Sequence, residues 1–60
     1  MTEKVADAVA DTIAELEAQM RVMAEYIKVK LAARDWHGVR DAAVDIELLA
    51  RELEIWKGME

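Results

Sequence analysis

The chain has 60 residues, 55% of them hydrophobic, a formal net charge of −5, and no cysteine or proline. One small domain is all that this length can form. Disulfides and thiolate metal sites are excluded, the single histidine offers no imidazole cluster, and self-association remains as the support for so short a chain. An acidic protein is a poor general binder of nucleic acid, because neutralisation of phosphates drives that affinity. Acidic residues interrupt every apolar run, so neither a signal peptide nor a spanning segment is expected, and a cytoplasmic location is the default.

The first helix is predicted from about residue 2 to 33, with Thr2 and Glu3 suited to its N-terminal turn. Val9, Ile13, Leu16, Met20, Met23, Ile27 and Leu31 recur at alternating spacings of three and four, ending on a four, and form one apolar stripe. Met20 and Met23 read as core filler on this stripe. The second helix is predicted from about residue 36 to 57. Asp35 has the side chain to cap the N–H of Gly38 or its neighbour, and Lys57 followed by Gly58 suits a C-terminal stop. Its stripe is Val39, Ala42, Ile46, Leu49, Leu53 and Trp56. With only Arg34 and Asp35 left between them, the helices must fold back as an antiparallel hairpin.

The arms differ in length, roughly 48 Å against 33 Å at ~1.5 Å per residue. About ten residues of the first helix are therefore expected to overhang: Val5, Ala6, Ala8, Val9, Ala10 and Ile13 make that segment apolar. Second apolar stripes lie about 100° round each helix, with Val22, Tyr26, Val29 and Ala33 on the first and Val44, Leu48 and Ile55 on the second. A lone hairpin covers one face per helix. An all-α hairpin assembling into a homo-oligomeric helical bundle, at least a four-helix dimer, is the expected architecture. Its interface is expected to use Val5, Val9, Ile13, Val22, Val29, Val44, Leu48 and Ile55.

The charge is patterned. Residues 1–20 sum to −4, residues 21–40 to +3 and residues 41–60 to −4. The basic third holds the run Asp35-Trp36-His37-Gly38-Val39-Arg40. There an indole for stacking, the His37 donor and the guanidinium groups of Arg34 and Arg40 surround a helix N-terminus, a combination suited to a small anion. Tyr26 and Lys30, one turn apart on the first helix, add a second ring and charge if that face meets a neighbour. The alternative is that Trp36 covers the end of the hairpin core and His37 is solvated. Catalysis is not expected. The chain has no serine, and the carboxylate pairs Asp7/Asp11 and Asp41/Asp45 have the spacing of solvated helix faces rather than of a metal or acid–base site. The Glu-x-x-His pattern of di-iron bundles is absent.

The segment Leu31–Leu48 (LAARDWHGVRDAAVDIEL) resembles short helical proteins encoded by bacteriophages and prophages, in which a D-W-H-G-V-x-D-A-A-x-D pattern opens the second helix. It covers less than a third of the chain. The design is also loosely similar to phage anti-defence proteins that sequester nucleotide signals, though no residue motif of theirs is present. The resemblance implies an accessory protein of the host cytoplasm that acts against host defence, either by sequestering a nucleotide signal or by blocking a defence protein. The basic, aromatic turn favours sequestration of a small nucleotide-type ligand, with no enzymatic activity and no cofactor expected. The alternatives are a protein–protein inhibitor or adaptor docking a host defence protein or phage protein through acidic or apolar faces, and a purely structural assembly protein.

Overall fold

A computed structural model describes residues 3–60. Two helices make up the fold, α1 (Glu3–Ala32) and α2 (Trp36–Lys57), and they pack as an antiparallel hairpin. Thr2, expected to open α1, lies outside the described residues. Neither helix has an interior proline, and α1 has no glycine, so the backbone is free to stay helical for thirty residues. Glu3 in the first turn of α1 and Lys30 in its last both oppose the helix dipole, as does Lys57 at the end of α2.

The seam is narrow. Val9, Ile13 and Leu16 are 4–6% exposed and Ala42 is 1% exposed, whereas Met20, Met23, Ile27, Ile46, Leu49 and Leu53 of the same stripes are only half-buried. Ala42 lets the helices approach where a longer side chain would hold them apart. Lys30 lies beside Gly38 at the closed end. Equal steps from that pair along both helices bring Trp56 level with Thr12 and Ile13, and Met59 level with Val9.

This register corrects the expected overhang. Val9 and Ile13 were expected to project beyond α2 and serve an interface, yet both are buried within the single hairpin. The reason lies in the register: Ile13 is level with Ile55, inside α2, which ends at Lys57, and beyond that end Gly58 keeps a right-handed conformation (φ −65°). Its N–H bonds Glu54 O at 3.1 Å, and Met59 N–H bonds Trp56 O at 3.0 Å. The tail therefore keeps winding alongside α1, and the overhang shrinks to roughly the first two turns of α1.

The second stripes are exposed as their spacing implies. Val22 is 67% exposed, Leu48 56% and Ile55 62%, and Tyr26, Val29 and Val44 are also open. A folded monomer of this mass exposes roughly 3,950 Å², and this hairpin exposes 4659 Å². No described helix is long and apolar enough to cross a membrane.

Candidate functional site

The turn is built from Ala33, Arg34 and Asp35. Arg34 takes the left-handed conformation (φ 57°). Its N–H bonds Leu31 O at 3.0 Å, and the Asp35 N–H bonds Lys30 O at 2.9 Å. These two bonds close α1 in a Schellman arrangement, with arginine where glycine is usual. Arg34→Gly should therefore stabilise the hairpin by roughly 0.5–1 kcal/mol, the relief of the left-handed cost less the glycine's entropy, and urea denaturation checks this.

Asp35 ends one helix and starts the next. Its carbonyl accepts the first α2 bond from Val39 N–H at 3.0 Å, and its Oδ1 accepts from Gly38 N–H at 2.9 Å. Its Oδ2 pairs with Lys30 Nζ at 3.3 Å. The ion pair takes the place of the apolar contact that commonly accompanies a Schellman turn. Lys30 Nζ also lies over the Tyr26 ring, 5.1 Å from its centroid. Tyr26 first and Asp35 second hold the Lys30 ammonium above its ordinary range. The Gly38 N–H first and Lys30 second hold the Asp35 carboxyl below its ordinary range, against a smaller opposing effect of desolvation.

Gly38 is required by this closeness. A Cβ there would stand 2.8 Å from both Asp35 Oδ2 and Lys30 Cδ. Gly38→Ala should forfeit the gain of about 1 kcal/mol that alanine normally brings to a helix. In the same variant the Asp35 carboxyl should move back up toward its ordinary range, read by NMR titration.

The six candidate ligand residues do not form one site within the chain. Tyr26 and Lys30 are together on one side of the hairpin. Trp36 lies nine residues, two and a half turns, before Asp45, and Asp45 borders a groove with Val22, one turn from Tyr26. Trp36 and Arg40 therefore occupy the other side of α2. Trp36 is 63% exposed and does not cover the core. The side chain of His37, 82% exposed, places Nε2 3.3 Å from Asp41 Oδ2. Among the described residues the Arg34 and Arg40 side chains make no ion pair. The capping carboxylate of Asp35 already occupies the N-terminal N–H of α2 that an anion would seek, and its charge opposes a second anion there.

The groove was not anticipated as a site. It is open, about 560 Å³, and its apolar wall comes from Ala18, Val22, Met23, Leu48 and Leu49, with Asp45 and Glu52 at its rim. Met23 and Leu49 belong to the main stripes, so their spacing assigns them to a closed core. The short Ala18 side chain leaves room there that a longer one would fill. Among the described residues no cluster of three or more acidic or histidine side chains is placed to hold a metal. The hydroxyl of Thr12 donates to Ala8 O at 2.9 Å, a bond within its own helix.

Fold and site thus define a two-helix hairpin whose main surface features are an apolar groove and a basic turn. Comparison with known proteins finds no matching family model, curated protein or solved structure.

Proposed function

We propose that this chain is a non-enzymatic interaction module that works as a homo-oligomer, its second apolar face completed by another copy. The observation that carries this reading is the half-buried seam: residues spaced for a core stay open to a groove flanked by the exposed Val22 and Leu48. Burying such surface at roughly 25 cal/mol per Å² is the largest stabilisation still available to a chain this small. Sedimentation equilibrium across nanomolar to micromolar concentrations tests it. A concentration-dependent dimer or higher assembly is expected, and a monomer throughout overturns the reading.

The exposed Trp36 supports a second reading, in which the assembly sequesters a small anionic, nucleotide-type ligand, one of the two roles that the phage resemblance implies. Trp36 would stack on the base, and Arg34 and Arg40 would meet the phosphate. His37, Lys30 and Tyr26 enter less directly, since each already has a partner in the fold. Native mass spectrometry with cyclic and linear nucleotides distinguishes the readings. Ligand-sized mass steps that disappear in Trp36→Ala, with the oligomer retained, support sequestration; a bare oligomer removes it.

A further inference from the structure

We infer that two copies associate with their turns at opposite ends, through the Val22–Leu48 face, about a two-fold axis at the Met20–Arg21 peptide. This rests on the self-association proposed above and adds the orientation. The first ground is area. The backbone of the hairpin spans 48 Å by 15 Å by 9 Å, so the outline of its broad side is on the order of the ~800 Å² per partner that specific interfaces bury.

The second ground is charge along the long axis. The closed end, residues 28–41, carries Lys28, Lys30, Arg34 and Arg40 against Asp35 and Asp41, net +2. The open end, residues 3–17 with 47–60, carries nine acids against Lys4, Arg51 and Lys57, net −6. Copies with turns together set like charge beside like charge at both ends. Copies with turns apart set each basic turn beside an acidic open end.

The third ground is local. The groove residues of α1, Ala18, Gln19, Val22 and Met23, are spaced symmetrically about the Met20–Arg21 peptide. A two-fold axis there, crossing the hairpin, lays α1 on the α1 of the other copy. Asp11 then comes opposite Lys30, Glu15 opposite the Tyr26 hydroxyl, and Ala8 opposite Ala33. Ala8, Asp11, Glu15, Tyr26 and Ala33 lie within about 40° of Val22 by helical periodicity. Lys30 lies about 80° round, its ammonium shared with Asp35. With turns at the same end, α1 instead lies on α2 of the other copy. Glu15 then meets the level of Glu52, and Val22 that of Asp45. On α1 the antiparallel arrangement pairs charges that the parallel one opposes. On α2 the same axis brings the groove acid Asp45 close to the level of the other copy's Glu52, so the preference comes from α1 and from the two ends.

Pulsed dipolar EPR on two single-cysteine variants, Ala33→Cys and Ala8→Cys, tests this, since the absence of native cysteine makes labelling specific. At ~1.5 Å per residue the antiparallel arrangement puts like labels roughly 35–40 Å apart in both variants. Distances below about 20 Å in both overturn the orientation while leaving self-association in place, because helices packed side by side lie only ~10 Å apart. The absence of any intermolecular distance, together with a wild type that stays monomeric in sedimentation equilibrium, overturns the orientation and the proposed function together. Its absence beside a wild type that associates overturns the orientation alone, once Lys4→Cys, labelled beyond the end of the α1–α1 contact, also fails to give the long distance.

Discussion

Leu48→Glu is expected to keep the chain monomeric at concentrations where the wild type associates, raising the dissociation constant at least ~100-fold. Leu48 is more than half exposed in the single hairpin, so little of its apolar surface contributes to the hairpin itself. In a two-fold interface each substitution counts twice. Fully burying one leucine side chain is worth roughly 1.5–3 kcal/mol, and about half of Leu48 is still open to be buried. Losing two therefore forfeits roughly 1.7–3.4 kcal/mol, and the cost of burying two carboxylates carries the total past the ~2.7 kcal/mol that a 100-fold change requires. The new carboxylate also joins Asp45 and Glu52 beside the same groove. Glutamate forms helix about as readily as leucine, so the helicity of the isolated hairpin should survive. Sedimentation equilibrium of Leu48→Glu beside wild type reads the effect; unchanged association would mean that another face makes the contact.

How far the fold is legible in the sequence can be argued residue by residue. The two helices and their reversal follow from the heptad-like stripes and from Asp35, a short polar acceptor placed three residues before Gly38. Both are local signals, and local signals dominate a structure with only one tertiary seam. The open end differs from expectation although α2 stops at Lys57 as its sequence implies: the register sets Ile13 level with Ile55, and register depends on how the two stripes meet rather than on any local signal. Arg34 misleads for a local reason: it takes the left-handed position without the glycine that would announce it.

The candidate site was legible as a list but not as a geometry. Helical spacing tells which residues of one helix share a face. It does not tell which side of the hairpin that face takes, because this depends on the direction of the seam. Trp36 with Arg40 and Tyr26 with Lys30 therefore read as neighbours in sequence terms and part company in the fold. Spacing also cannot show that Lys30 is committed to Asp35, or that Met23 and Leu49 border an open groove. The exposed second stripe, by contrast, followed from counting, since two stripes on each helix exceed what one neighbour can cover.

Asp35→Ala is expected to lower the melting temperature by roughly 5 °C or more at fixed chain concentration. One carboxylate caps α2 through Gly38 and holds Lys30, the residue whose carbonyl receives the last bond of α1. Its loss loosens both helix ends at the only connection between them. Asp35→Asn separates the two contributions, because asparagine still caps while giving up the charge. It should fall between wild type and Asp35→Ala at neutral pH. The advantage of wild type over Asp35→Asn then depends on pH in a definite direction. The folded Asp35 carboxyl titrates below its ordinary 3.8, so its contribution is complete above that value and is lost as the pH drops through the lower folded value. Lys30 titrates above its ordinary 10.5, so its share is complete below that value and is lost as the pH rises through the higher folded one. Thermal melts of the two chains should differ by a constant amount across the neutral range, converge in acid, and draw closer without meeting in base, where the Gly38 N–H still favours the Asp35 charge. A difference that stays unchanged as Lys30 loses its charge would place the Asp35 charge effect on the Gly38 N–H alone and leave Lys30 a bystander.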